Sequence, residues 1–336
     1  MISSRAPLRI DLAGGWTDVP AYASRHGGAV VNVAITLYAH ASVRRGGSGV
    51  RLRAQDLGTA VSAQRVEDLR ADGELALVKA VVRRRAPTDG GIEITTRSDA
   101  PPGSGLGGSG ALGVALVAAM DAALGDRRLP AETAGIAFNI ETDEAGIVGG
   151  SQDQYAAALG GLQCLVYGEP SVSSVRPGIP VATRLELQRH LVLCYTGASR
   201  LSSDTHQRVW QAFDRGDTAV RKALDGLKAC ALAMRSALER GDVGEVAVIL
   251  SENWRHQQNL AEGMQTDAMR HLERVAAAAG ADGAKACGAG AGGCLVFLAR
   301  PGRDFDVTEA LRGAGGTILK FTFAEEGVAA WESLER

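Results

Sequence analysis

The sequence lacks a large net charge of either sign, because 36 lysine and arginine residues nearly balance 38 aspartate and glutamate residues and leave a formal net charge of -2. Such a chain has no general positive field that would attract nucleic acid or an anionic membrane surface. The one short basic run, at residues 83–85, is expected at the solvated end of a helix. The charge balance therefore favours a small-molecule partner over nucleic acid or membrane.

The sequence also lacks the spacings of disulfide-rich and metal-binding proteins. Its five cysteines form no C-x-x-C pair, and its six histidines are dispersed without metal-ligand spacing. Several cysteines lie in apolar, strand-like segments, so we interpret them as reduced core residues of a cytoplasmic protein. The cysteines are Cys164, Cys194, Cys230, Cys287 and Cys294.

A long apolar run is missing as well. The longest uncharged stretch, residues 100–120, begins with proline, glycine and serine, so its apolar part falls short of the roughly 18 residues that a membrane span needs. The first seven residues lack the apolar core of a signal peptide. We therefore expect a cytoplasmic chain, and its hydrophobic content of 46% predicts a large core and two domains.

The most informative segment that is present is Ser98–Ala111, which is rich in glycine and precedes an apolar, Ala-rich stretch typical of a buried helix. Glycines let a backbone turn its N–H groups toward a ligand and approach it closely. The start of the following helix adds unpaired N–H groups and a partial positive charge. This combination is typical of a phosphate-binding loop.

Two common phosphate loops fit this segment poorly. A Walker A loop requires a lysine, and none follows Gly108. Gly103, Gly105 and Gly108 do spell G-x-G-x-x-G, and Asp121 lies near the required distance, but residues 107–124 are predicted to be one helix without the second strand of a dinucleotide site. The segment could also be a Gly-rich surface loop that binds no ligand.

The predicted strands and helices do not alternate strictly, which favours an α+β fold over a doubly wound parallel sheet. Residues 168–180, rich in serine, proline and glycine, are predicted to be a linker between a domain at 1–180 and a domain at 181–336. The predicted strands are 8–12, 29–38, 91–96, 162–167, 190–195, 294–299 and 317–323. The predicted helices are 107–124, 131–145, a short one after residue 150, 218–240, 243–260 and 267–279.

The segment Arg5–Tyr22 contains a predicted strand, a glycine turn and the pair Thr17-Asp18. A carboxylate can accept hydrogen bonds from two adjacent hydroxyl groups, so Asp18 suits the recognition of a sugar. The same residue could instead cap a turn, and this segment alone leaves both interpretations open.

Two further segments carry candidate residues. The segment Glu141–Tyr155 places Glu141 and Asp153 twelve residues apart across a Gly-rich connection. The segment Lys285–Phe297 places four glycines before an apolar strand, which again permits a close approach of the backbone to a ligand. Taken alone, Glu141 could be a solvated helix residue, and the second segment could be a tight strand–helix junction.

Together these four segments resemble the signatures of the GHMP kinase superfamily, in the family's order, from residue 5 to residue 297. The resemblance implies a two-domain α+β fold. It implies an N-terminal domain with the ribosomal-S5-like α/β arrangement and a C-terminal domain with the ferredoxin-like α+β arrangement.

The resemblance also implies ATP and Mg²⁺ as ligands and assigns roles to residues. Ser109 and Glu141 are expected to hold Mg²⁺, which keeps most of its ligands as water and phosphate oxygens. Asp153 is expected to orient the attacking hydroxyl, and Arg9 to offset charge on the leaving group. The implied ATP-binding residues are Pro102, Gly103, Ser104, Gly105, Leu106, Gly107, Gly108 and Ser109.

The expected sugar contacts are Gly15, Thr17, Asp18 and Gly290. Arg200 is a candidate for gripping a phosphate on the acceptor, because a guanidinium group can make two parallel bonds to it. A surface position at the start of a helix is an equally good interpretation of Arg200.

Within the superfamily, the sequence resembles the heptose 7-phosphate kinases, in the segments 194–203 and 319–323 and in the Gly15-Trp16 pair. This resemblance implies phosphorylation of the anomeric hydroxyl of a heptose 7-phosphate to a 1,7-bisphosphate. The alternatives are an L-fucose kinase, a kinase of the mevalonate type and an inactive sensor of sugar and nucleotide. The presence of Ser109, Glu141 and Asp153 argues against the sensor. Whether the chain forms a homo-oligomer is left open.

Overall fold

The computed structural model describes residues 1–86, 90–168, 171–197 and 202–334. The strands in this part of the chain are β1 (Ile2–Ala13), β2 (Gly28–Arg45), β3 (Val50–Ala54), β4 (Thr59–Ala63), β5 (Ile92–Ser98), β6 (Leu162–Gly168), β7 (Ser171–Val175), β8 (Leu191–Tyr195), β9 (Ala281–Ala286), β10 (Cys294–Ala299), β11 (Thr317–Leu319) and β12 (Ala329–Glu332).

The α-helices are α1 (Pro20–His26), α2 (Ala76–Arg85), α3 (Gly108–Leu124), α4 (Pro130–Asn139), α5 (Gln152–Leu159), α6 (Val181–His190), α7 (Ser202–Asp214), α8 (Thr218–Arg240), α9 (Val243–Gln258), α10 (Asp267–Ala279) and α11 (Asp304–Gly313). A 3₁₀ turn lies at Val66–Asp68, and a short π-helix at Ile140–Glu144 continues α4. In the described residues, none of the helices combines the length and the apolar character needed to cross a membrane.

The first sheet is organised around β2, the longest of these strands. Strand β1 pairs antiparallel along most of β2, while the first part of β2 pairs with β6 and its last part with β5. The order across the sheet is β12-β1-β2-β5-β3-β4, with β6 and β7 beside the other half of β2. Helix α3 packs against β1 and β2 and is buried on most faces, as its apolar sequence predicts.

The second sheet contains four antiparallel strands in the order β11-β8-β10-β9. Numbered by their order in the chain from β8 to β11, these strands lie across the sheet in the order 4-1-3-2. Helices connect β8 to β9 and β10 to β11. This is the split βαβ arrangement of ferredoxin-like domains. The predicted α+β fold class is therefore confirmed.

Several predicted elements agree closely with the structure and others do not. Helices α8 and α10 have the predicted bounds, whereas the strand predicted at 317–323 ends at Leu319. The linker prediction is wrong for residues 171–175, which pair with β6 as an edge strand. The last strand, β12, pairs with β1 and so returns to the first sheet. The division into domains at residue 180 stays a prediction.

A buried ion pair connects the two sheets. Lys285 on β9 is completely buried, and its Nζ donates to Oδ2 of Asp11 at 2.9 Å and to the carbonyl of Asp11 on β1 at 2.7 Å. The two sheets also share one hydrophobic cluster, to which Ile10 and Val296 both belong. A charge that is buried this deeply depends on its partner, because water cannot replace the lost contact.

We expect Lys285→Met to lower the free energy of unfolding by about 3–5 kcal/mol, because it removes the ammonium group that donates hydrogen bonds to the buried carboxylate and carbonyl of Asp11. Urea unfolding followed by circular dichroism measures this loss. The exposed pair Arg300–Asp282 provides the control, and Arg300→Met should cost less than about 1 kcal/mol. Equal losses in the two variants would contradict an essential inter-sheet pair.

Candidate active site

The predicted phosphate loop forms a compact turn that ends at α3. Gly103, Gly105 and Gly107 adopt left-handed backbone conformations with φ values of 68°, 74° and 75°. These values favour glycine, because a Cβ atom would clash with the backbone. Helix α3 begins at Gly108, so its first N–H groups lie at the end of this loop.

The second Gly-rich loop, between β9 and β10, lies directly against the first. A side chain at Gly105 would come within 3.1 Å of the backbone nitrogen of Gly288. The N–H of Cys294 donates to the carbonyl of Ser104 at 2.7 Å. The two loops, far apart in the sequence, are therefore in backbone contact because neither carries a side chain at the point of approach.

A cavity of about 640 Å³ lies beside these loops. Most of the residues predicted from the sequence to form a site line it together. The predicted residues that line the cavity are Arg9, Gly15, Asp18, Pro102, Gly103, Ser104, Gly105, Gly107, Gly108, Ser109, Glu141, Asp153 and Gly290.

Two predicted contacts are placed differently from the expectation, and the position of a third is not described. The Leu106 side chain is buried in the core, and only its carbonyl takes part, accepting from the Arg9 N–H at 3.0 Å. Thr17 is also completely buried, and its hydroxyl donates to the carbonyls of Gly14 and Ala29, so it stabilises the turn before Asp18 rather than facing the cavity. Arg200 lies outside the described residues.

Arg9 and Asp153 form the central ion pair of the site. Nε of Arg9 donates to Oδ1 of Asp153 at 2.7 Å. Its Nη1 donates to the carbonyls of Gly105 at 2.7 Å and Cys287 at 2.9 Å, so one guanidinium group joins both Gly-rich loops. Burial alone would lower the pKa of Arg9, but the carboxylates of Asp153 and Asp11 raise it, and Arg9 stays charged.

Asp153 is held at the start of α5 with part of its carboxylate accessible. Its side chain is 26% exposed, which leaves room for a ligand to reach the second oxygen. A side chain at Gly110 would come within 2.6 Å of the Asp153 Cβ, and one at Gly107 within 3.0 Å of its Cγ. The helix start and the phosphate loop therefore approach Asp153 only because both positions are glycine.

Ser109 and Glu141, the two residues expected from the sequence to hold Mg²⁺, are hydrogen-bonded to each other. Ser109 Oγ donates to one carboxylate oxygen of Glu141, and Gln154 Nε2 donates to the other. Burial raises the pKa of Glu141 to about 7, although both hydrogen bonds favour its ionised form. A buried carboxylate beside a hydroxyl suits a hard cation.

These two residues do not form a complete metal cage. Across the described ranges, no group of three or more histidine, cysteine, aspartate or glutamate side chains is arranged to hold a metal ion. A cation at Ser109 and Glu141 would therefore need further oxygen ligands from a bound phosphate or from water.

Asp18 is buried against the loop that precedes α5. The backbone N–H of Gln152 donates to its Oδ2 at 3.1 Å, and a side chain at Gly150 would come within 1.8 Å of the same oxygen. Burial raises the pKa of Asp18 to about 7, and the nearby charge of Asp153 acts in the same direction. At neutral pH this carboxylate is therefore poised between its protonated and ionised forms.

Sequence reasoning missed four residues that belong to the site or support it. Asp11, Trp16 and His206 line the cavity, and Lys285 holds Asp11 from behind. Lys285 is the first residue of the segment Lys285–Phe297, and Asp11 and Trp16 lie in the segment Arg5–Tyr22. Their positions within these segments could therefore have identified them as site residues. No sequence signal distinguishes His206 from the other histidines, since it reaches the cavity from α7 through the tertiary fold.

The raised pKa of Asp18 predicts a pH-dependent loss of stability in the unliganded protein. The folded-state pKa of Asp18, about 7, exceeds the ordinary value of 3.8, so the folded protein holds this proton more tightly than the unfolded chain. The contribution of Asp18 to the free energy of unfolding is therefore complete below pH 3.8 and is lost as the pH rises toward and through 7. We expect Asp18→Asn to be more stable than the wild-type protein at pH 8, on the order of 2–4 kcal/mol, and to lose that advantage near pH 4.

Thermal unfolding without ligands at pH 4, 6 and 8 measures this difference. Asp56→Asn is the control, because Asp56 is an exposed carboxylate on the wall of the same cavity. An advantage of Asp18→Asn that does not change with pH, or one shared by Asp56→Asn, would contradict the assignment to Asp18.

Comparison with known proteins gives similarity along the whole chain. A curated relative, the D-glycero-alpha-D-manno-heptose 7-phosphate kinase of Campylobacter jejuni, is 33% identical over 98% of this chain and 98% of its own. The L-fucokinase/L-fucose-1-P guanylyltransferase of Bacteroides fragilis is 26% identical over 89% of this chain and 35% of its own length.

Solved structures agree with these relatives. A D-glycero-D-manno-heptose 1-phosphate kinase from Bacteroides thetaiotaomicron is 30% identical, covers both chains completely and superposes with a TM-score of 0.82. The galactokinase of Lactococcus lactis, at 19% identity and a TM-score of 0.75, shares the fold. The family models for the GHMP kinase N-terminal and C-terminal domains match residues 75–161 and 234–317. The chain therefore belongs to the GHMP kinase family of ATP-dependent phosphotransferases.

Proposed function

We propose that this kinase phosphorylates the anomeric hydroxyl of a heptose 7-phosphate with ATP and produces the 1,7-bisphosphate. One observation carries the proposal: Asp153, paired with Arg9 at 2.7 Å, borders the same cavity as the phosphate loop and Asp18. Resemblance over nearly the full length of a heptose 7-phosphate kinase supports the choice of acceptor.

The nucleotide has a natural position in this cavity. The left-handed glycines at 103, 105 and 107 and the start of α3 form a concave backbone that suits the phosphates of ATP. Apolar side chains in the lining of the same cavity provide a surface for the base, and these are Leu57, Leu75, Leu77, Val78, Leu112 and Phe138.

Ser109 and Glu141 would hold Mg²⁺ together with phosphate oxygens of the nucleotide. When bound, the cation would neutralise part of the negative charge on those phosphate oxygens. Gln154 orients Glu141 through its amide, so the carboxylate meets the hydroxyl of Ser109 in a defined geometry. Burial raises the pKa of Glu141, the charge of Asp153 acts in the same direction, and a cation bound here would favour the ionised form.

The acceptor hydroxyl is positioned by carboxylates. Oδ1 of Asp153 is engaged by Arg9, so its accessible side remains for the sugar hydroxyl, which it orients for in-line attack on the γ-phosphorus. The hydroxyl oxygen forms the new bond to phosphorus, the bond to the ADP oxygen breaks, and the hydroxyl proton passes to Asp153 or to water. Arg9, held charged beside both Gly-rich loops, offsets charge on the transferring group.

Asp18 is the proposed contact for the other hydroxyl groups of the sugar. Its carboxylate lies at the turn after β1, and Gly15, at the same turn, also lines the cavity. In the ionised form Asp18 can accept hydrogen bonds from two adjacent hydroxyls. Binding such donors would compensate for the burial that raises its pKa.

An L-fucose kinase is the second candidate. Its support is the 26% identity, over 89% of this chain, to the L-fucokinase/L-fucose-1-P guanylyltransferase of Bacteroides fragilis. The same carboxylates would serve an unphosphorylated sugar equally well.

Incubation of the enzyme and ATP with D-glycero-D-manno-heptose 7-phosphate, the corresponding 1-phosphate and L-fucose tests the acceptor and the position together. We expect a new anomeric phosphate signal in phosphorus NMR with the 7-phosphate only. The heptose 1-phosphate is included because the structural relative from Bacteroides thetaiotaomicron is named for it. Turnover of L-fucose alone would replace the proposal with the second candidate, and no turnover of any sugar would refute both.

We expect Asp153→Asn to lower kcat by about 10²–10⁴-fold, because the variant can no longer orient the hydroxyl or take its proton. The affinity for ATP should stay within about threefold, since Asp153 contacts the acceptor rather than the nucleotide. Steady-state kinetics and calorimetric titration with a non-hydrolysable ATP analogue measure the two quantities. The control is Asp143→Asn, an exposed acid two residues after Glu141. Unchanged kcat in Asp153→Asn would remove Asp153 from the mechanism.

A further inference from the structure

An aromatic pair borders the cavity next to Asp18. Trp16 lies in the turn after β1, and His206 reaches it from α7. Their rings stack with centroids 4.3 Å apart and an interplanar angle of 19°. Both residues line the cavity, so this stacked pair forms part of its wall on the side where the acceptor is proposed to bind.

Trp16 is held rigidly in this position. It is a non-glycine residue with a φ of 81°, a left-handed conformation that is costly for a bulky side chain. The turn is maintained by the N–H of Thr17, which donates to the carbonyl of Gly14 at 3.1 Å. Behind the ring, Trp210 packs at a centroid distance of 6.0 Å within a buried aromatic and aliphatic cluster. His206 is therefore oriented by a fixed surface.

His206 has hydrogen-bonding capacity that the described part of the protein does not use. Its Nδ1 is buried and has no hydrogen-bond partner among these residues. Burial lowers the pKa of His206 to about 4, so its ring is neutral at physiological pH, with one donor nitrogen and one acceptor nitrogen. Because Nδ1 is enclosed, Nε2 is the nitrogen available to a molecule in the cavity.

We propose that His206 is a specificity-determining contact of the acceptor, and that its Nε2 exchanges a hydrogen bond with an oxygen of the sugar phosphate whose reacting hydroxyl lies at Asp153. The inference rests on the proposed function and extends it to a residue outside the family motifs identified in the sequence. His206 acts on acceptor binding, and Arg9 and Asp153 act on phosphoryl transfer.

The acceptor oxygen belongs either to a sugar hydroxyl or to the distal phosphate. Both can hydrogen-bond to a neutral imidazole, so the chemistry at Nε2 is the same. An acceptor with and without its distal phosphate distinguishes the two sources. If a substitution of His206 raises the acceptor KM only for the phosphorylated sugar, the partner of Nε2 is the phosphate. If it raises the KM for both sugars, the partner is a hydroxyl group.

Three substitutions test the contact. His206→Gln places an amide nitrogen near the position of Nε2, His206→Asn places one near Nδ1, and His206→Phe keeps an aromatic ring on Trp16 without a hydrogen bond. We expect the acceptor KM to rise about 3–10-fold in the Asn and Phe variants, the effect of losing one hydrogen bond, and to stay within about twofold in the Gln variant. The KM for ATP should not change in any of them.

His271→Asn, at an exposed position on α10, is the control for a change of histidine elsewhere. A general folding defect cannot mimic the expected result, because Gln and Asn are both amides and only one is expected to restore binding. An acceptor KM of His206→Phe equal to that of the wild type, or a parallel rise in the ATP KM, would overturn the inference and leave the proposed function intact. Failure of the wild-type enzyme to phosphorylate any sugar would refute both.

Discussion

The buried guanidinium of Arg9 is the group on which the arrangement of the site depends. It extends from β1, yet it donates to the carbonyls of two Gly-rich loops and to the carboxylate of Asp153. Gly105 and Gly288 leave no space for side chains between the loops, so both carbonyls come within reach of one cation. Without that cation, two buried carbonyls and a carboxylate would lose a charged donor, which is more costly than losing a neutral one.

The same close packing concentrates negative charge around the cavity. Asp18 and Glu141 are both buried, and the pKa of each is raised to about 7 by that burial. Lys285 neutralises Asp11 from the second sheet, which leaves Asp18 and Glu141 without a direct cation among the described residues. Keeping both carboxylates ionised at neutral pH therefore costs stability, and a ligand that brings hydroxyl groups or a divalent cation to them would offset that cost.

The prediction from sequence succeeded where the signal is local. The glycine spacing at 103–108 and the apolar helix after it correctly placed a tight loop before α3, because left-handed glycines and helix starts depend on neighbouring residues. It failed for Ser171–Val175, where composition suggested a linker but β6 offered an unpaired edge. Thr17 shows the same limit, since its residue type suits a sugar contact while its burial makes it a support for the turn.

The sequence by itself determined the family, the α+β class and the residue types of a phosphate-transfer site, because glycine spacing, helix starts and acid positions are properties of short segments. Only the tertiary structure decided which groups meet: Arg9 with Asp153, 144 residues apart, and Lys285 with Asp11, 274 residues apart. It also brought His206 onto Trp16. These contacts follow from strand register and from the packing of helices between two sheets, and no local periodicity encodes distances of that kind.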